Sequence, residues 1–358
     1  RAAGDEMLEA YGRLRLGQHH WRRGRYEAAH EALQQAEHLA QKLGLINLEG
    51  MICRSLAVNA WRQGNLAEAQ QLGNRSINLH QQANDMRNLY RSHYFLAILA
   101  FEQTQLSTAR VYTETIANAT RQHGDRMLEI GAIGLLGHIA IYEGNYEQAL
   151  EYLNRRLQLA EESGRQWELA STVSNRGDLW LCLGQWQRAA TDYDKGLDIF
   201  QQVKSCQGQS NVLAHMGLLA AMQGDFVNGR AHCEEALQLA QEENARREIA
   251  FAQTFLAHNL LSLQQWKAAL AAYKLAADAW EKWGDAPRHI EALAGQVRVL
   301  LAMGKVAEAE TTAAPVLIFL ADNNLNGAND PVQIYLTCYK LLTALDDPEA
   351  KTWLLQGQ

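Results

Sequence analysis

The chain has 358 residues, more than a single hydrophobic core usually serves, so either several globular domains or one elongated repeat array is expected. Only four prolines occur, and Ala, Leu, Gln and Glu abound, so helices should dominate and the Val, Ile and Thr runs of a sheet protein are excluded. The formal charge is −7, with Lys and Arg scattered rather than gathered into a stripe, which excludes direct nucleic-acid binding. Five cysteines without a CxxC pair argue against a disulfide framework or a structural zinc site and fit a reducing cytoplasm. No apolar run reaches the roughly 20 residues that span a bilayer, and no signal segment opens the chain. The first residue is Arg1, which predicts a piece of a longer protein.

Taken in chain order, one pattern recurs. A glycine turn stands at Gly24-Arg25-Tyr26, Gly64-Asn65-Leu66, Gly144-Asn145-Tyr146, Gly184-Gln185-Trp186, Gly224-Asp225-Phe226 and Gly304-Lys305-Val306. Thr104-Gln105-Leu106 and Gln264-Gln265-Trp266 fill the two gaps, so eight units stand 40 residues apart without insertion or deletion. Before each turn comes a small residue in seven units of the eight: Gly17, Ala57, Ala97, Gly137, Gly177, Gly217 and Ala257, then Val297. After each turn comes another: Ala29, Ala69, Ala109, Ala149, Ala189, Gly229, Ala269 and Ala309. Small residues on both sides of a turn allow two antiparallel helices to approach closely at one crossing. A third column, Gly44, Asn84, Gly124, Gly164, Lys204, Asn244, Gly284 and Asn324, fits a left-handed residue just past a helix end, with Lys204 as the exception. Asp85, Asp125 and Asp285 can then cap first helices, and Asn65, Asn145 and Asp225 second helices. The reading is helices at 46–62, 66–82, 86–102 and onward.

The paired small columns resemble the tetratricopeptide repeat (TPR), whereas HEAT repeats share the length without them. The 40-residue unit, longer than the 34-residue form, is similar to the repeats of kinesin light chain, of cell-polarity adaptors and of the TPR sensor regions of bacterial STAND signal-transduction ATPases and transcriptional regulators. The resemblance implies an all-α fold, a right-handed TPR superhelix: an α-α solenoid of eight 40-residue helix pairs over residues 1–324 and an atypical ninth pair capping it over 325–358.

Toward the end, Pro315 should kink the last regular helix. Asp330-Pro331 reads as a cap and first helical residue of a helix running to about Leu345, and Asp347-Pro348-Glu349 starts another short one. Cys338-Tyr339 and the run Leu345 to Ala350 resemble the closing end of TPR regions in bacterial signalling ATPases. No GxxxxGK[ST] loop occurs, so a motor of that kind would lie upstream.

The resemblance places the ligand groove on the first helix of each pair, mainly through four positions. In this chain they are Tyr11, Leu14, Gln18 and Trp21; Met51, Arg54, Val58 and Trp61; Arg91, Tyr94, Ile98 and Phe101; and Gly131, Gly134, His138 and Ile141. Further on come Ser171, Ser174, Asp178 and Leu181; Asn211, Ala214, Leu218 and Ala221; Phe251, Thr254, His258 and Leu261; and Glu291, Ala294, Arg298 and Leu301. Trp21, Trp61 and Phe101 form an aromatic ladder, and with Arg54, Arg91 and Tyr94 they suit an amphipathic peptide or helix carrying an acidic group. The commoner arrangement for such a stripe is packing between neighbouring first helices. Asn175 and Asp178 resemble positions that bond peptide backbone in kinesin light chain and the polarity adaptors, although most other repeats are apolar in the Asn175 column.

No HxxxH or HExxH pair exists among the histidines, so no metal and no cofactor is expected. Paired carboxylates such as Glu161-Glu162 and Glu234-Glu235 read as solvated faces, and no nucleophile-base-orienter set is visible, so the chain is not expected to be an enzyme. The expected partner is a protein, a peptide or a small-molecule inducer. The leading reading is the sensor or interaction region of a larger signalling protein, with a constitutive scaffold as the alternative. A Rap-like regulator of response regulators ranks lower, because those proteins carry a separate N-terminal helical bundle and the repeats here begin by about residue 8.

Overall fold

A computed structural model of the chain describes residues 2–322, 325 and 328–347. These form seventeen α-helices and no strand. They fall into two compact units that divide between Glu168 and Leu169. The first unit holds α1 (Ala2–Arg22), α2 (Tyr26–Lys42), α3 (Ile46–Arg62), α4 (Leu66–Gln82), α5 (Met86–Glu102), α6 (Leu106–His123), α7 (Arg126–Tyr142) and α8 (Tyr146–Glu162). After α9 (Gln166–Cys182), which starts at the boundary, the second holds α10 (Trp186–Gln202), α11 (Cys206–Met222), α12 (Phe226–Glu242), α13 (Arg246–Ser262), α14 (Trp266–Trp283), α15 (Ala286–Ala302), α16 (Val306–Asp322) and α17 (Pro331–Ala344). Odd-numbered helices up to α15 are the first members of the eight pairs, and the 40-residue register holds in each unit.

The two members of a pair differ in how they are buried. In α8 the buried residues are Ala149, Leu153, Arg156, Leu159 and Ala160, a stripe along one face of an amphipathic helix. First helices are covered from several sides: α13 is buried continuously from Ala250 to Ala257. Within each pair the small columns work as the spacing predicts. Ala57, Ala69, Ala97, Ala109, Ala149, Ala189, Ala257 and Ala269 are fully buried. A Cβ on Gly217 would lie 2.3 Å from Cys233 Sγ and 2.9 Å from the Gly229 carbonyl, closer than real Cβ atoms come. The crossing there is backbone against backbone.

The chain reverses through left-handed residues. Gly24, Gly64, Gly144, Gly184, Gly224 and Gly304 all have positive φ, and so do Thr104 (57°) and Gln264 (58°), which replace glycine in the same column. Lys204 (54°) likewise keeps the left-handed conformation of its column. Asp85, Asp125 and Asp285 accept hydrogen bonds from the N–H groups of Asn88, Leu128 and Arg288, and Asn145 and Asp225 from those of Gln148 and Asn228. Asn65 makes no cap bond, and nothing in its backbone, which matches that of Asn145, explains the difference. Ser205 caps α11, a role the sequence reading did not assign.

Helix α16 continues through Pro315. Pro315 and Thr311 both lie on the exposed face, so the carbonyl that loses its bond can turn to water. Asp330 caps α17 through the Gln333 N–H, as expected. Asn324 and the short helix expected from Pro348 lie outside the described residues.

Candidate functional site

Each first helix keeps one half-exposed stripe. On α3 it includes Met51, Arg54, Val58 and Trp61, while Ile52, Cys53, Ser55, Leu56 and Ala57 between them are buried. The third of the four expected groove positions is half-exposed in every repeat: Gln18, Val58, Ile98, His138, Asp178, Leu218, His258 and Arg298. The second position is different. Leu14, Ser174, Ala214, Thr254 and Ala294 are buried, as are Phe251 and Glu291 from the first position, so these residues belong to the core rather than to an open wall. Neighbouring side chains close over them: Trp280 Nε1 of the second helix α14 donates to Thr254 Oγ1 (3.0 Å), and the guanidiniums of Arg247 and Arg288, on the first helices α13 and α15, lie 5.2 and 4.9 Å from the Phe251 ring centroid.

In the first unit the aromatic ladder is interleaved with cations. The Arg62 guanidinium sits 5.7 Å from the Trp21 ring and 5.1 Å from the Trp61 ring, a stacked arrangement worth about 0.5–1 kcal/mol per contact where exposed. Trp61 meets Phe95 edge-on at 6.4 Å. Phe101 is buried against Tyr142 (4.8 Å) and His138 (6.1 Å), so this rung is core packing. Tyr11 is exposed at the start of the face, and Gln18 donates to Ser55 Oγ (3.0 Å).

Arg54 is a half-buried cation on this face. Its Nη1 makes only long contacts, 3.4 Å to the Asn88 carbonyl and 3.5 Å to Asn88 Oδ1. No carboxylate stands within ion-pair distance of it among the described residues. Burial, reinforced by the like charge of Arg91 and only partly offset by the Asp85 carboxylate, pulls its guanidinium down to about 10. Arg91 is compensated, donating to Asp125 Oδ2 at 3.2 Å. Tyr94 projects over Gly131, where a Cβ would lie 2.8 Å from its hydroxyl, and burial raises its pKa. Arg156 threads from α8 beneath Gly134 in the same way, with its Nε 2.7 Å from where a Cβ would stand.

In the second unit the half-exposed stripe is polar. Asp178 accepts the Tyr193 hydroxyl (2.7 Å) and lies 3.8 Å from His215 Nε2. Asn175 is half-buried beside it, and the Asn211 carbonyl contacts His215 Nδ1 at 2.8 Å. Two repeats on, His258 Nδ1 is 3.1 Å from the Tyr273 hydroxyl, which also receives Arg298 Nη2 at 3.3 Å. The structure therefore brings His258 and Arg298 together, and Asn175 close to Asp178. Tyr193, Tyr273, Arg62 and Arg156 were missed in the sequence because they lie on second helices or at helix ends. Tyr193 and Tyr273 share one column of the repeat, and that was the available signal. Among the described residues no three His, Cys, Asp or Glu side chains cluster to hold a metal, and no helix is long and apolar enough to cross a membrane.

No protein-family model matches the chain. It is 25% identical to the kinesin light chain-related protein 3 of Arabidopsis thaliana over 61% of its own length and 35% of that protein's. Kinesin light chain-related protein 1 of the same plant is 27% identical over 29% of the chain and 18% of that protein. The chain thus spans about a third or less of the curated relatives it matches. Among solved structures, a Rap protein complexed with Competence and Sporulation Factor superposes with a TM-score of 0.62 at 12% identity, covering 100% of this chain and 99% of that one. The quorum sensor NprR from B. thuringiensis gives 0.61 at 14% identity, covering 88% of each chain. A Signal Transduction ATPase with Numerous Domains with a tetratricopeptide repeat sensor, from Pyrococcus horikoshii, gives 0.56 at 14% identity over 94% of this chain and 52% of that one. With its own paired helices, 40-residue register and buried small columns, the chain is built on the tetratricopeptide-repeat fold.

Proposed function

We propose that the chain is a protein- or peptide-binding module, the sensor region of a larger bacterial signalling ATPase or transcriptional regulator, and that its first-helix face receives the ligand. The observation that carries this reading is Arg54: a half-buried guanidinium with only long contacts to Asn88 and no carboxylate within ion-pair distance among the described residues, on the same face as the half-exposed Trp21 and Trp61. A cation in that state is stabilised by an incoming carboxylate, while the indoles supply apolar area. The ligand class that fits is an amphipathic peptide or helix bearing an acidic group.

The test is to select binders from a peptide library and measure Kd for the chain and for Arg54→Gln. Loss of at least about 30-fold is expected, the size seen when one partner of a hydrogen-bonded charge pair is removed. Unchanged affinity of every selected peptide would remove Arg54 from the site and the groove reading with it. Selection of a small molecule instead would point to an inducer.

A second reading has one observation in its favour. The likeness to the Rap protein takes in 99% of that chain, which supports a peptide-regulated protein acting on a response regulator. Accelerated loss of phosphate from a response regulator on adding the chain would establish that reading over the sensor.

A further inference from the structure

The second unit contains a polar chain that neither packing nor capping accounts for. Tyr273 of α14 is fully buried and enters between first helices beside Gly295, where a Cβ would lie 2.2 Å from its ring. Its hydroxyl receives Arg298 Nη2 (3.3 Å) and stands 3.1 Å from His258 Nδ1, which Arg298 Nη2 also approaches directly at 3.5 Å. The other imidazole nitrogen, Nε2, faces Glu291 Oε1 at 4.0 Å. Glu291 is only 2% exposed, and its Oε2 accepts both the Asn329 N–H (3.0 Å) and the Asn329 amide (2.9 Å). Arg298 Nη1 reaches Gln333 Oε1 of α17 (3.3 Å).

One proton arrangement satisfies the contacts at the Tyr273 hydroxyl. Burial holds the His258 imidazole down to about 3, so it is neutral at physiological pH. With Nδ1 accepting from Tyr273, its single proton sits on Nε2 and points at the Glu291 carboxylate. Hydrogen bonds then run in one direction from Arg298 to Tyr273 to His258; the 4.0 Å between His258 Nε2 and Glu291 Oε1 is too long for a hydrogen bond and leaves both atoms unsatisfied, so that link is electrostatic, while Asn329 closes on Glu291 from the far side. In a low-dielectric site each link polarises the next, and removing a middle link leaves the neighbours on both sides unpaired.

Both ends of the chain matter. His258 and Arg298 occupy the half-exposed stripe of the first-helix face, whereas Asn329 and Gln333 belong to the segment that carries α17. We propose that Arg298, Tyr273, His258 and Glu291 form a relay coupling the first-helix face of the second unit to the C-terminal segment 328–347. Whatever engages Arg298 or His258 changes how firmly α17 is held. As a transmission route this rests on the reading of that face as the binding face, but the relay itself is testable without any ligand.

Hydrogen exchange of the full chain is measured for Arg298→Gln, Tyr273→Phe, Glu291→Gln and the double variant Tyr273→Phe/Glu291→Gln. The control is Tyr193→Phe, which removes an equivalent hydroxyl bonded to Asp178 in the same unit. Each relay variant should speed exchange of the 331–344 amides by about tenfold, the scale of one lost hydrogen bond to a charged group. The double variant should exceed the larger single effect by less than about twofold, because members of one network are not additive. Tyr193→Phe should leave α17 unchanged. Multiplying effects in the double variant, equal effects of Tyr193→Phe and Tyr273→Phe, or no change at α17 would each overturn the relay. None of these outcomes bears on Arg54 and its peptide, so the two readings fail separately.

Discussion

Thr104, Lys204 and Gln264 hold left-handed backbone at sites where glycine would be unstrained, as do Asn84, Asn244 and Asp346. Asparagine and aspartate tolerate that region, but a β-branched threonine does not, and the strain is about 1–2 kcal/mol per residue. Lys204→Gly and Thr104→Gly should therefore each raise stability, by about 0.5–1 kcal/mol after the added freedom of the unfolded chain is counted. Urea melts of the two single variants check this, and a drop in midpoint for both would show that the side chains make compensating contacts. The left-handed column at the second-helix ends was readable from the sequence because seven of its eight members are glycine or asparagine. That Lys204 obeys it, and that Thr104 and Gln264 are left-handed in the turn column, follows from the fold, since the helices on either side fix the path between them.

At the scale of the element, the register is the claim most open to attack. Ala149 is fully buried at the crossing of α7 and α8, whereas Gln148 beside it is half-buried and its side chain reaches Arg110 Nη1 at 3.4 Å. Ala149→Trp should push the two helices apart and destabilise by about 3 kcal/mol or more, as in severe overpacking. Gln148→Trp should cost less than about 1 kcal/mol. Equal losses in thermal melts would mean that the small columns do not mark the crossing. The candidate site was less legible at this scale. The sequence places four positions per first helix on one face, but Thr254 and Phe251 are closed over by Trp280 and Arg288, which arrive from other helices, and by Arg247 of their own helix. A side chain that reaches its neighbour through a glycine gap, as Arg156 does at Gly134, has no signature in the helix it visits.

For the whole molecule, a repeat array is held by neighbour contacts alone, so ligand capture can be coupled to a change of curvature at modest cost. A sensor should therefore change its small-angle scattering when a selected peptide is added, and a scaffold should not; an unchanged curve at saturation would favour the scaffold. The period, the pairing of helices, the close crossings and five of the six expected Asp and Asn caps were determined by the sequence alone, because each depends on local geometry repeated every 40 residues. Only the tertiary structure decided which face residues stay open, that Arg54 has no carboxylate within ion-pair distance among the described residues, and that His258 and Arg298 meet beside Tyr273. Those outcomes depend on side chains from different helices converging, and a one-dimensional pattern carries the spacing along each helix but not the depth to which its neighbours reach.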